Sequence, residues 1–216
     1  MVAVLMFTAL FADFAIVAGS PFLTTSDIAQ FGVCIKVAML VGFAVQITHS
    51  LILPDLADAY AHRDRARVRP VLLRAATFPV ALSVLALITT WIFGAHFLAL
   101  FGDEFIPAQG PLLLMIACQA LRAVAGPTHN LLMLEGAGKQ NFWICVLAGS
   151  VLLVANILLA PMFGLWGSVE AASLAYTVWI IAGAVCLHRL SAPRADLFAL
   201  LLPRSRPLFL HRRIGQ

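Results

Sequence analysis

The sequence predicts an all-α integral membrane protein, a bundle of six transmembrane helices, and three observations carry that prediction. Hydrophobic residues make up 62% of the 216-residue chain and charged residues only 11%, with a mean hydropathy of +0.98. A water-soluble domain carries about twice that share of charge. The apolar residues gather in stretches long enough, at about 1.5 Å per helical residue, to cross a hydrocarbon core of about 30 Å. The basic residues alternate with those stretches. The connections after the second and fourth stretches and the C-terminal tail hold five, one and six Lys or Arg, whereas the connections after the first, third and fifth hold none. Cytoplasmic loops collect Lys and Arg, so this pattern places both termini in the cytoplasm, and one missed or additional span would scramble it.

The first span covers residues 2–18. No Lys or Arg precedes it and Asp13 interrupts it, which argues for a retained helix over a cleaved leader despite the small residues at its end. The chain enters this span without a polar lead-in, as expected of one half of a longer protein. After the turn SPFLTTSD, a second span over 28–53 carries Lys36, Gln46 and His49. A basic connection with Arg63, Arg65, Arg67, Arg69 and Arg74 leads into the third span, 71–93, where Pro79 predicts a kink. Trp91, Phe93, Phe97 and Phe101 suit an interfacial aromatic belt. FGDEFIPAQG reads as a turn, and Pro111 opens a fourth span reaching Leu134. The glycine-rich turn EGAGKQN precedes the fifth span, 142–160, and PMFGLWGS precedes the sixth, 169–187. Residues 1–190 thus form the six-span unit, and 191–216 a basic cytoplasmic tail whose LFALLLP run is too short to cross.

Two basic residues lie deep inside spans, Lys36 and Arg122, whereas Arg74 stands at the head of the third. Arg122 falls mid-span on this reading, where a guanidinium costs about 2.5 to 3.5 kcal/mol and each large apolar residue returns only about 0.3 to 0.6. The fourth span therefore belongs inside a bundle, with Gln119, Arg122, Gly126 and His129 along one face toward partners or a wet hollow. A guanidinium in a low-dielectric hollow offers paired donors suited to phosphate, and Gln119 offers an amide for sugar hydroxyls. Asp13 and Lys36 sit at similar depth, so a direct or water-bridged pair explains both; it serves as structural glue or as a group that binds and releases a proton or cation. His129 reads as a buried structural histidine, Gln46 and His49 as residues of the cytoplasmic rim, and Glu170 as a surface carboxylate.

Other chemistries find little footing. The four cysteines lie in apolar stretches without metal or redox spacing and read as small buried hydrophobes. No metal or cofactor set is indicated. The nucleophile, zinc, P-loop and dinucleotide signatures are absent from the chain, so no enzyme is expected. The formal charge of +4 does not suggest nucleic acid, because the basic residues are confined to one membrane side.

The segment FGDEFIPAQGPLLLMIACQALRAVAGPTHNLLMLEGAGKQN resembles the corresponding region of prokaryotic polysaccharide exporters of the MOP superfamily. That group holds the lipid-linked oligosaccharide (O-antigen type) flippases and the MATE drug exporters. The resemblance rests on the FGxEF-like turn with Phe101, Gly102 and Phe105, on Leu112 to Leu114, Gln119, the Gly126-Pro127 pair, Leu131-Leu132 and the Gly136/Gly138 turn. The span with Asp13 and the span ending LPDLADAY resemble the family's second half. The likeness extends over about residues 1–190 and implies one lobe, the C-terminal one, of a two-lobed transporter in the bacterial inner membrane. It implies export of polysaccharide or lipopolysaccharide precursors, as undecaprenyl-pyrophosphate-linked glycans, by alternating access, with Arg122 and Lys36 as cavity cations. The implied partners are membrane lipids and either a complementary N-terminal six-helix lobe or glycan-assembly proteins. A MATE-type cation exporter half, whose cavity should favour acids, and a non-transporting scaffold or transporter remnant are the alternatives.

Overall fold

A computed structural model describes residues 2–61 and 65–190, and those residues form helices joined by short turns. In order they are α1 (Val2–Gly19), α2 (Thr25–Ala61), α3 (Arg65–Ala99), α4 (Gln109–Ala125), α5 (Thr128–Leu134), α6 (Gly138–Phe163) and α7 (Leu165–Arg189). Short 3₁₀ segments, Ser20–Phe22 and Asp103–Ala108, link α1 to α2 and lead into α4. Five segments are long and apolar enough to cross a membrane: Thr25–Ile52, Ala76–Ala99, Asp103–Ala125, Gly138–Phe163 and Leu165–Arg189. α1 is an 18-residue apolar helix. The expected tail, 191–216, and Arg63 of the basic connection lie outside the described residues; Arg65, Arg67, Arg69 and Arg74 belong to the first turns of α3.

Several boundaries differ from the sequence reading, each for a local reason. α2 begins at a reciprocal cap. The Thr24 hydroxyl donates to Asp27 Oδ2 at 2.7 Å, and the Asp27 backbone N–H donates back to Thr24 Oγ1 at 3.2 Å. Together these satisfy donors that the first helical turn leaves open. Thr24→Ala should lower stability by about 1 kcal/mol, read as an earlier thermal unfolding midpoint in detergent with unchanged helicity. α3 runs unbroken through Pro79.

The stretch read as a turn before Pro111 is instead the 3₁₀ segment that feeds α4. At the other end, the span expected to reach Leu134 stops at Ala125. Gly126, at φ 67°, ends the helix, and Pro127 has no N–H to continue it. The break is closed locally, since the Thr128 N–H donates to Gly126 O at 2.8 Å and its hydroxyl to Ala125 O at 2.7 Å. Arg122 consequently stands in the last turn of α4 instead of midway along one long span.

Two apolar cores hold the bundle. One joins Phe11, Phe31, Ile35, Leu112, Ile116 and Val169 across α1, α2, α4 and α7. The other joins Leu131, Leu132, Ala148, Trp179 and Leu187 around α5, α6 and α7. α6 and α7 form the most extensive pair, a hairpin turned at Gly164 with φ 54°. Their approach is so close that a β-carbon on Gly167 would stand 2.1 Å from the Leu159 carbonyl oxygen. Trp91, Phe93, Phe97 and Phe101 are all exposed near the C-terminal end of α3, with the Phe97 and Phe101 rings edge to face at 5.6 Å.

Candidate functional site

The polar stripe of α4 docks against a polar stripe of α2. Gln119 and Arg122, about one turn apart, meet Gly42 and Gln46, also about one turn apart. Gln119 is 3% exposed, and its Oε1 would touch a β-carbon placed on Gly42 at 2.6 Å. Only a glycine leaves room for the amide there. That carbonyl oxygen finds no hydrogen-bond donor among the described residues, a condition that costs about 1 to 3 kcal/mol when buried.

Arg122, half-buried, donates from Nη2 to Gln46 Oε1. Its guanidinium carbon lies 5.6 Å from the centre of the Trp179 ring, within the range of a cation–π contact. Tyr176 meets Trp179 edge-on at 6.3 Å, so two aromatic residues of α7 border the cation. Among the described residues, the ion pair present is Asp13 with Lys36, and no carboxylate neutralises Arg122. A guanidinium carries five N–H donors, and one is engaged with Gln46. The rest have no acceptor among the described residues.

Around this cation the other helices supply neutral polar groups. His129 stacks face to face on Trp179, with centroids 3.7 Å apart and planes within 8°. Its Nδ1 lies 2.7 Å from Asn141 Oδ1, while the Asn141 amide donates to His129 O at 3.3 Å. That pairing makes Nδ1 the protonated nitrogen and leaves Nε2 as a lone pair, packed near Gly183 and unpartnered. His49, 4% exposed, likewise has an Nε2 without a partner. Placed at the rim by sequence, Gln46 and His49 are thus part of the buried polar cluster. The signal was present as Gly42, Gln46 and His49, spaced along one face of α2. His129 leaves the face expected of Gln119 and Arg122, because the break at Gly126 turns α5 against α7.

The suggested pairing of Asp13 with Lys36 is observed, with Nζ 3.2 Å from Oδ1. Both side chains are open, at 63% and 62% exposure. Glu170 is exposed on α7. Ser173 and Thr177 turn their hydroxyls back on their own helix, to Val169 O at 2.7 Å and Ser173 O at 2.8 Å, and so join no site. Cys34, Cys118, Cys145 and Cys186 are free thiols, and no cluster of three potential metal ligands occurs among the described residues. Compared with protein-family models, curated proteins and solved structures, the chain matches none.

Proposed function

We propose that this chain is a six-span lobe of a MOP-type exporter that moves polysaccharide precursors or lipid-linked oligosaccharide across the bacterial inner membrane. On this reading α1 is the sixth span, both termini are cytoplasmic, and the chain works without covalent catalysis. One observation carries the proposal: a half-buried guanidinium beside Trp179, with free donors and no carboxylate among the described residues. An uncompensated cation at such depth is costly, and a phosphate oxyanion offsets that cost through charge-assisted, forked hydrogen bonds. The undecaprenyl-pyrophosphate end of the substrate supplies that group. Gln119 reaches a sugar hydroxyl only when α2 and α4 part at Gly42, as they would in one phase of alternating access. The cationic setting of Arg122 disfavours a cavity for organic cations.

Complementation tests this reading: expression in a flippase-deficient strain, alone and with a six-span partner, should restore surface glycan. No restoration in either setting, with the protein present in the membrane, contradicts it. Asp13 is the proposed coupling group. Asp13→Asn should leave insertion intact and make the residual export indifferent to the ion gradient. Wild-type export with unchanged gradient dependence in both Asp13→Asn and Asp13→Ala removes that role.

A further inference from the structure

We propose that the face of α1 and α2 around Asp13 and Lys36 docks against the same face of a second copy of this chain. About 9 Å of helix separates Asp13 from the end of α1, and about 16 Å separates Lys36 from the start of α2. The two groups therefore lie well inside the span, yet both are more than three-fifths exposed on the outside of the bundle. Lipid does not solvate such a pair, and intramembrane charges face protein or a water-filled space. The exposed surfaces of α3 over 76–95 and α6 over 142–160 carry no charge, as lipid-facing surfaces should.

The occupant follows from the charge pattern. A positive and a negative group side by side are self-complementary across a two-fold axis: Asp13 of one copy meets Lys36 of the other, and the reverse contact forms in the same stroke. A partner of single-signed charge would satisfy only one member of the pair. Along α2 the exposed residues Lys36, Leu40, Phe43 and Ile47 are spaced by four, three and four, a seam suited to a second helix at a shallow crossing angle. Phe14 and Val17 of α1 are exposed beside Asp13 and widen the seam. The inference does not require the transport reading, and association and export are measured separately.

Charge segregation provides the test. Chains carrying Asp13→Lys present two positive groups at the seam, and chains carrying Lys36→Asp two negative ones. Each variant, bearing two different affinity tags and reconstituted in lipid, should capture its own kind at least about tenfold less than wild type captures wild type, a difference of about 1.4 kcal/mol. Mixing the two variants should restore capture toward the wild-type level, and that recovery also shows that both chains are folded. Wild-type chains that stay monomeric at every lipid ratio, or a mixed pair no better than each variant alone, overturn the proposal. Should either variant fail to insert, cross-linking with wild-type charges decides. With the four native cysteines replaced by alanine, Phe43→Cys should form a disulfide dimer and Leu85→Cys, exposed on α3, should not. Equal dimer at both positions, or none at Phe43→Cys, refutes the seam.

Discussion

Arg122→Ala should abolish most export while leaving the protein inserted and close to wild type in stability. Hydrogen bonds to a charged group contribute about 1.5 to 3 kcal/mol, so loss of the forked contact to phosphate should reduce export by about 10- to 100-fold. Arg122→Lys keeps the charge and loses the fork, and should fall between wild type and alanine. Stability separates this role from simple packing. Removal of Arg122 forfeits one charge-assisted hydrogen bond to Gln46 and a cation–π contact with Trp179, worth about 1.5 to 3 and about 0.5 to 2 kcal/mol. Against that, the cost of an intramembrane cation disappears, about 2.5 to 3.5 kcal/mol at a helix centre and less in the last turn where Arg122 stands. The two sides roughly cancel, so a binding residue gives a large fall in activity with little change in stability. A residue serving only helix packing gives the reverse: lower thermal stability and near-normal export per folded molecule.

Gly167→Ala should be the most damaging single change to the fold. A β-carbon there would meet the Leu159 carbonyl oxygen at 2.1 Å and the Ala160 nitrogen at 2.9 Å, and these are backbone atoms that no rotamer change can move. α6 and α7 would have to separate along their hairpin, opening the core around Ala160 and Ala171, both buried at this interface. Overpacking in a close-fitted interior costs about 1 to 3 kcal/mol and occasionally more, and this site lies at the upper end. The expected result is a sharp fall in detergent-stable protein and loss of the thermal transition. Gly149→Ala, at a helix position with open space around the glycine, should be neutral or slightly stabilising, since alanine is the better helix former.

Long apolar helices were legible because hydrophobicity and length alone define them, and the five segments that can cross a membrane coincide with expected spans. Their ends were less so. α2 and α3 continue well past their apolar stretches, to Ala61 and back to Arg65, because a helix in water needs hydrogen bonding and no apolar surface. The α4 start was obscured by Pro107 and Gly110, residues that signal a turn yet fit the first turns of a helix. Asp13 and Lys36 could be paired in advance because depth along two adjacent spans is one-dimensional information. The neighbours of Arg122 could not. Gln46 is 76 residues away in sequence, and Trp179, in α7, read as one more apolar residue. What brings them together is the packing of α4 against α2 and α7, which depends on tertiary contacts.

Aqueous accessibility of position 122 tests the central claim most directly. In a background with the four native cysteines replaced by alanine, Arg122→Cys should react with a membrane-impermeant thiol reagent, while Leu121→Cys, exposed on the neighbouring surface of α4, should not. With Arg122 in place, undecaprenyl-pyrophosphate should slow the labelling of Gln46→Cys, beside the guanidinium. Rapid labelling at 122, and protection of Gln46→Cys by the pyrophosphate lipid, is the predicted result. No labelling from either side of the membrane, or labelling that the lipid leaves unchanged, contradicts the phosphate-binding hollow.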